Sequence, residues 1–341
     1  MKRPCFSILI PSYNGEDTIG DALNSILAQD FTDYEIIISD DSSTDQTVKV
    51  LRSFKDKRIR LYTAKKNIGY PGNLNRCMKK ARGKYIYLLG QDDLLGGAAL
   101  QKTYDAFQLR NDIGAVTRPY RWFDDNLDVT VRVKKGLNSN KDEIISINDP
   151  LDQVIKVFTT LDSLSGLAYK ADYIDRPFHP DIFPCHVYPF AAIFKKYPIV
   201  FLKDYVIAVR IASSQCRYLS SIYDKSPLQS WVDMFNTIFK EKKFLRLRKY
   251  CIQNFVAVNY VGLVQIKNYG RYRYVLREIM LLLKYRPQNF FNLIFWFFSV
   301  GTLIAPPAIL IPLVDWYKQK INSLRFSDIR FDYNFQLKKH S

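Results

Sequence analysis

The stretch YIYLLGQDDLL, residues 85–95, runs apolar for five residues and then sets Asp92 and Asp93 side by side. A buried strand does not end on two adjacent carboxylates unless a cation or a hydrogen-bond donor meets them. The same design recurs upstream. FSILI (6–10) is a short aliphatic run closed by Pro11-Ser12-Tyr13-Asn14, and YEIIIS (34–39) closes on Asp40 and Asp41. RIRLYT (58–63) reads as a further, shorter strand. Between these runs Ile19, Ala22, Leu23, Ile26 and Leu27 recur at helical spacing behind the polar start NGED. SSTDQTVKVLRSF supplies a cap and an amphipathic helix, and LNRCMKKA a third helix behind the loop NIGYPGN. Alternation of this kind predicts an α/β domain with a mostly parallel sheet flanked by helices. Ligands of such sheets bind beyond the carboxyl ends of the strands. Three of those ends here bring an aromatic ring and two acid pairs to one rim.

Adjacent carboxylates with no His or Cys nearby are hard oxygen ligands, suited to Mg²⁺ or Mn²⁺ rather than zinc. Such an ion bridges to phosphate oxygens. A nucleoside diphosphate also needs a flat surface for its base, which Tyr13 offers, and an acceptor for a base N–H, which Asp41 offers. Neither GxxxxGK[ST] nor GxGxxG occurs, so a P-loop or a dinucleotide fingerprint is excluded.

ILIPSYNGEDTIGDALNSILAQDFTDYEIIISDDSSTDQT (8–47), followed by NIGYPGNLNRCMKKARGKYIYLLGQDD (67–93), resembles the nucleotide-sugar-binding half of glycosyltransferase family 2, which has the GT-A fold. The resemblance returns more weakly at SGLAYK (165–170) and KKYPIVFLKDYVIAVR (195–210). It implies that Pro11 and Tyr13 line base and ribose and that Asp41 reads the base. Asp92 would hold ribose or donor sugar, and Asp93 would ligate the metal. Asn67, Gly69 and Asn75 match the segment that shapes the donor pocket. Leu74 stands where many relatives carry Arg, which puts that phosphate contact in doubt. The family generally inverts, with a base taking the proton of the attacking acceptor hydroxyl. That base usually lies in an ED pair, and RPFHPDIFPCHVYPFAAIFKKYP (176–198) has none. His186 and Asp181 are the candidates, ahead of Asp172 and Asp175.

The chain has 341 residues, 48% of them hydrophobic, enough for one large domain or two modest ones. Five scattered cysteines without a CxxC pair fit neither a disulfide framework nor a structural zinc site, and suit a reducing cytoplasm. MKRPCFSILIPSYNG has too short an apolar run for a signal peptide and reads as a first strand. The formal charge of +17 is uneven: residues 226–341 hold 18 Lys and Arg against 6 Asp and Glu. Within them, 288–314 carries no charged side chain, and Pro306, Pro307 and Pro312 interrupt it. Arg271, Arg273, Arg277, Lys284 and Arg286 precede it; Lys318, Lys320 and Arg325 follow. Positive charge on both flanks favours a dipping or surface-lying hairpin over a single span, with a buried helical hairpin as the alternative. FFNLIFWFF is too uniformly apolar to leave one face for water. RYRYVLREIMLLLKYR (271–286) has the pattern of an interfacial amphipathic helix.

These features predict a GT-A domain over 1–225 and a basic helical region over 226–341, attached to an anionic membrane surface on its cytoplasmic face. The expected partners are a nucleoside-diphosphate sugar and a lipid-linked saccharide acceptor, as in synthesis of O-antigen, capsule or exopolysaccharide. Two alternatives stand beside this. A sugar nucleotidyltransferase would show a Gly-rich activating loop near its start, and PSYNGEDT is not one. A nucleic-acid binder has only the charge in its favour, with no recognised motif.

Overall fold

The computed structural model describes residues 3–124, 126–211 and 220–337. Strand β1 (Phe6–Ser12) leads through α1 (Ile19–Leu27) to β2 (Tyr34–Asp40), then α2 (Thr47–Ser53), β3 (Ile59–Thr63), α3 (Gly69–Met78) and β4 (Tyr85–Leu88). β1 lies between β2 and β4, parallel to both, and β3 continues the sheet beyond β2. β2 and β4 are buried along their whole length and β1 at all but Pro11, which is why they read as continuous aliphatic runs without alternation.

The chain continues through β5 (Leu94–Leu95), α4 (Ala99–Gln108), β6 (Ala115–Thr117), β7 (Tyr120–Phe123), β8 (Arg132–Lys134) and β9 (Glu143–Ile145). It then forms α5 (Leu151–Thr159), β10 (Ala168–Lys170), α6 (Val187–Phe194), β11 (Ile199–Phe201) and β12 (Ile207–Arg210). The main sheet has the order β3-β2-β1-β4-β10-β6-β11-β9, and a smaller one the order β5-β12-β7-β8. β10 is antiparallel to both its neighbours, so the sheet is mainly, not wholly, parallel.

One boundary differs from the sequence reading. α3 starts at Gly69, inside the stretch NIGYPGN expected as loop. Pro71 is tolerated because the first turn has no intrahelical use for its N–H. The Asp41 carboxylate, from the end of β2, accepts the N–H groups of Ile68 and Gly69 at 2.9 Å each. The helix is capped by a residue of another segment.

Beyond β12, α7 (Pro227–Ile238), α8 (Leu245–Asn254), α9 (Val261–Tyr269) and α10 (Tyr272–Tyr285) pack as a helical layer. Phe158 of α5 meets Phe235 of α7 edge-on, with ring centroids 4.8 Å apart. One hydrophobic core holds Leu9 and Ile37 together with Phe235, Leu247 and Val275, so packing is continuous across the expected boundary at residue 225. α11 (Leu293–Ile304) and α12 (Pro307–Trp316) follow, broken at Ala305–Pro306. Among the described residues no helix is long and apolar enough to cross a membrane. Nor is the pair buried as a hairpin inside the protein: Phe291, Leu293 and Phe297 are among its most exposed side chains. From there the chain returns to the small sheet. Phe331, Tyr333, Phe335 and Leu337 pack on Leu94, Phe123, Leu127 and Ala208, and the Gly97 N–H donates to the Asp332 carbonyl at 2.9 Å. Cys5, Cys77, Cys185 and Cys251 form no disulfide, and Cys216 lies outside the described residues.

Candidate active site

The ends of β1, β2 and β4 meet through short hydrogen bonds. Asp41 donates its N–H to the Ser12 carbonyl at 2.8 Å, joining the second strand end to the first. Gln91, in the loop after β4, accepts the Tyr13 N–H at 2.9 Å and donates to the Tyr13 carbonyl at 3.0 Å. This reciprocal pair holds Tyr13 in place from 78 residues away in sequence. A Cβ on Gly15 would lie 2.5 Å from the Gln91 amide oxygen, so a larger residue there would displace this clamp. Pro11 and Tyr13 are half-buried on the same rim.

The Asp92–Asp93 turn is built around Gly90. A Cβ on Gly90 would lie 3.0 Å from an oxygen of each carboxylate and 3.3 Å from the Ser165 hydroxyl. The two acids therefore converge on one small space. They are not equivalent within it. Asp92 is half-buried, whereas Asp93 is only 4% exposed, with Ser165 Oγ donating to one oxygen at 2.5 Å and the Arg210 N–H to the other at 3.0 Å. Burial, and then the neighbouring Asp92 charge, push the Asp93 carboxyl up to about 8 against those two donors. Asp93, assigned as metal ligand from the resemblance, is thus the inner acid, and Asp92 is the more open one.

Behind this turn sits a cation the sequence reading missed. Arg118 is wholly buried and donates to the carbonyls of Thr160 (3.0 Å), Ser163 (3.1 Å) and Ser165 (2.6 Å), with its guanidinium over the Tyr120 ring. It fixes the 160–165 loop that carries Ser165. Ser165 Oγ in turn accepts the Gly90 N–H at 2.8 Å while donating to Asp93. On the other side Arg210 holds the Asp92 carbonyl at 3.3 Å and the buried Asp21 carboxylate at 3.2 Å. No local pattern marks Arg118, in the link between β6 and β7, or Arg210, at the end of β12.

The donor-pocket segment proves largely structural. Asp41 is 2% exposed and spends both oxygens on the α3 cap. Asn67 accepts the Gly69 N–H at 2.9 Å, and Gly69 takes φ +78°, which only glycine adopts without strain. Asn75 exchanges two hydrogen bonds with the Phe178 backbone, tying α3 to the loop before α6. Leu74 is fully buried in the main core. Asn73, not foreseen, bridges the Ser12 and Ser39 carbonyls from α3.

Of the two base candidates, His186 immediately precedes α6 and is 7% exposed. Its Nε2 lies 2.8 Å from the Leu161 carbonyl, which can only accept, so Nε2 carries the proton and Nδ1 the lone pair. Nδ1 faces the Tyr70 hydroxyl at 3.5 Å. Burial pulls the imidazole down to about 4 against the help of that carbonyl bond. Asp181 is ion-paired with Lys225 and 3.6 Å from His179 Nδ1. Asp172 and Asp175 pair with surface cations, Arg3 and Lys196 respectively.

Among the described residues no group of three or more His, Cys, Asp or Glu could hold an ion unaided. A Mg²⁺-type ion takes one or two carboxylates and completes its shell with water and substrate phosphate. The two acids around Gly90 fit that donor set.

Residues 7–157 match the family model Glycosyl transferase family 2. An uncharacterized glycosyltransferase of Haemophilus influenzae is 34% identical over 115 residues, 33% of this chain and 46% of the relative. The Escherichia coli UDP-Glc:alpha-D-GlcNAc-diphosphoundecaprenol beta-1,3-glucosyltransferase WfgD is 33% identical over 120 residues, 35% of this chain and 47% of the relative. The chain thus spans about half the length, or less, of the curated relatives it matches. In structure, Staphylococcus aureus TarS 1–349 in complex with UDP-GlcNAc superposes with a TM-score of 0.63 at 16% identity, over 98% of this chain and 97% of that one. The Pyrobaculum calidifontis mannosyltransferase PcManGT in complex with GDP-Man and Mn²⁺ gives 0.52 at 16% identity, over 89% and 88%. Residues 7–157 of this chain thus match glycosyltransferase family 2, and the fold is GT-A-like.

Proposed function

We propose that the chain transfers a sugar, with inversion, from a nucleoside-diphosphate donor to a lipid-linked saccharide in the synthesis of a surface polysaccharide. The observation that carries this is the convergence of Tyr13, Asp41, Asp92 and Asp93 on one rim, locked by the Gln91–Tyr13 and Ser12–Asp41 bonds. Tyr13 stacks against the base. Asp41 positions the 68–69 turn beside it, and any contact it makes to the base uses oxygens already holding that turn. Asp92 holds Mg²⁺ or Mn²⁺, with Asp93 behind it, which exchanges the roles drawn from the resemblance. When bound, that ion offsets the charge developing on the leaving diphosphate. Asp93 keeps the turn rigid through Ser165 and the Arg210 N–H. His186 serves as base through Nδ1, whose lone pair faces the Tyr70 hydroxyl at 3.5 Å. Asp181, held by Lys225, is the weaker candidate.

The acceptor class draws support from the name of WfgD, whose substrate is a diphosphoundecaprenol-linked sugar. Attachment to the cytoplasmic face of a membrane through the C-terminal region draws support from the charge-free segment 288–314 and its basic flanks. The test is turnover of the full chain on a panel of UDP- and GDP-sugars with Mn²⁺. Asp92→Asn should abolish transfer and weaken the melting shift that UDP or GDP gives with Mn²⁺. Equal turnover by Asp92→Asn would remove the assignment, and pyrophosphate release from a nucleoside triphosphate would favour a nucleotidyltransferase instead. For the base, pH–rate profiles of His186→Ala and Asp181→Ala decide; unchanged turnover in both rejects this window.

A further inference from the structure

We propose that α11 and α12 seat the protein in a single anionic leaflet as a non-spanning apolar hairpin. This rests on the reading that the chain works at a membrane, and it fixes how. At 1.5 Å per residue the 12 residues of α11 and the 10 of α12 reach about 18 and 15 Å, against about 30 Å of hydrocarbon. Each helix crosses at most one leaflet.

Their faces are divided accordingly. Phe295, Ser299 and Thr302 of α11 turn inward, Phe295 against the Tyr260 ring at 5.7 Å, and the Thr302 hydroxyl is satisfied by the Phe298 carbonyl. Leu293, Phe297, Val300 and Ile304, spaced three or four apart, form an outward stripe, with Phe297 73% and Ile304 77% exposed. Ile309, Leu313 and Trp316 make a similar exposed row on α12. Single exposed apolar side chains need no partner, but charge-free stripes on two consecutive helices do.

Chain topology excludes a crossing. Before the pair, α10 is anchored in the core by Tyr274, Val275 and Leu282. After it, the chain returns to the catalytic sheet, where Gly97 bonds Asp332 and Phe331 lies under the Arg121 guanidinium at 4.6 Å. Both ends of the hairpin are tied to the same body and stay on the same side. Exposed basic side chains flank it in sequence, Arg271, Arg273 and Lys284 before it and Lys320, Arg325 and Arg330 after it, against Asp315 and Asp328. Trp316 and Tyr317 stand at the exit, where aromatic side chains settle at a headgroup boundary. The basic flanks complement anionic headgroups. They argue against a second copy as occupant, because a symmetric contact would bring two such sets of charge together in a chain of formal charge +17.

Flotation of the full chain with neutral phosphatidylcholine vesicles, and with vesicles containing phosphatidylglycerol, tests this. The anionic vesicles should carry at least about tenfold more protein. The triple variant Leu293→Glu, Phe297→Glu, Ile304→Glu should lose that binding with its melting temperature unchanged. Lipids brominated near the headgroup should quench Trp fluorescence more than lipids brominated at the chain end, and Trp316→Phe should remove most of the difference. Absence of flotation, or binding indifferent to the triple variant, overturns the proposal. So does a concentration-dependent dimer that the same variant abolishes, and so does deeper bromine quenching more strongly. Turnover and the nucleotide melting shift, measured without vesicles, report on the transferase reading separately: their loss with flotation intact would sink that reading and leave this one standing.

Discussion

Asp41→Asn separates a structural carboxylate from a base-reading one. In the fold both oxygens of Asp41 accept backbone N–H groups, from Ile68 and Gly69, at 2.9 Å. The amide can keep its oxygen toward only one of them. It should keep it toward Ile68, because the Gly69 N–H is shared with Asn67 Oδ1, also at 2.9 Å. The change then turns one charge-assisted bond into a neutral one and sets an NH₂ against the Gly69 N–H. Charge-assisted bonds contribute about 1.5–3 kcal/mol against about 1 for neutral ones, so the loss should be roughly 2 kcal/mol. Asn67→Ala alone should cost less, under about 0.5 kcal/mol, since Asp41 still covers Gly69. Together the two changes leave that N–H without an acceptor, and the double variant should fall below the sum of the singles by about 1 kcal/mol. Urea unfolding of the four proteins measures this, and the UDP-induced melting shift measures binding in parallel. If Asp41→Asn left the urea midpoint unchanged while abolishing the UDP shift, the capping argument would be wrong and the carboxylate would belong to the nucleotide.

Ser165→Ala removes a hydroxyl that donates to Asp93 and accepts the Gly90 N–H, so it should cost about 1–3 kcal/mol by urea unfolding and weaken nucleotide binding with Mn²⁺. Ser165→Thr, which keeps the hydroxyl, should recover most of both; no recovery would detach the serine from the turn. His186 is neutral in the fold and pulled down to about 4, below its ordinary value of about 6.5, first by burial. Its contribution is complete above about pH 6.5 and is lost as pH falls through about 4, amounting to roughly 3 kcal/mol. The urea midpoint of the wild type should drop more steeply over that window than that of His186→Asn, and an imidazole titrating near 6.5 by NMR would refute the burial argument. Leu74→Arg, which restores the residue many relatives carry, should cost more than about 4 kcal/mol because it places an unpaired cation in a fully buried site. A stable Leu74→Arg with tighter nucleotide binding would show that the helix register differs.

The sequence by itself determined β1, β2 and β4, because a strand buried on both faces must be an almost unbroken apolar run. It also determined the rim, because parallel topology sends every β1, β2 and β4 end to the same edge. Tyr13, Asp41, Asp92 and Asp93 could be named from those two facts. What each does there could not. Asp41 caps α3 from 27 residues upstream, Gln91 clamps Tyr13 across 78, and Arg118 holds a loop more than forty residues ahead of it. Hydrogen bonds between such distant segments leave no periodicity in the chain, so only the folded arrangement shows that one acid is half-buried and its neighbour enclosed. The same holds for His186, whose burial and lowered basicity show only in the fold. It holds as well for 288–314, where composition showed an uncharged apolar run and only the return of the tail to Gly97 tied both of its ends to one body. Local sequence sets which surfaces must leave water; the tertiary structure sets which polar groups lose it with them.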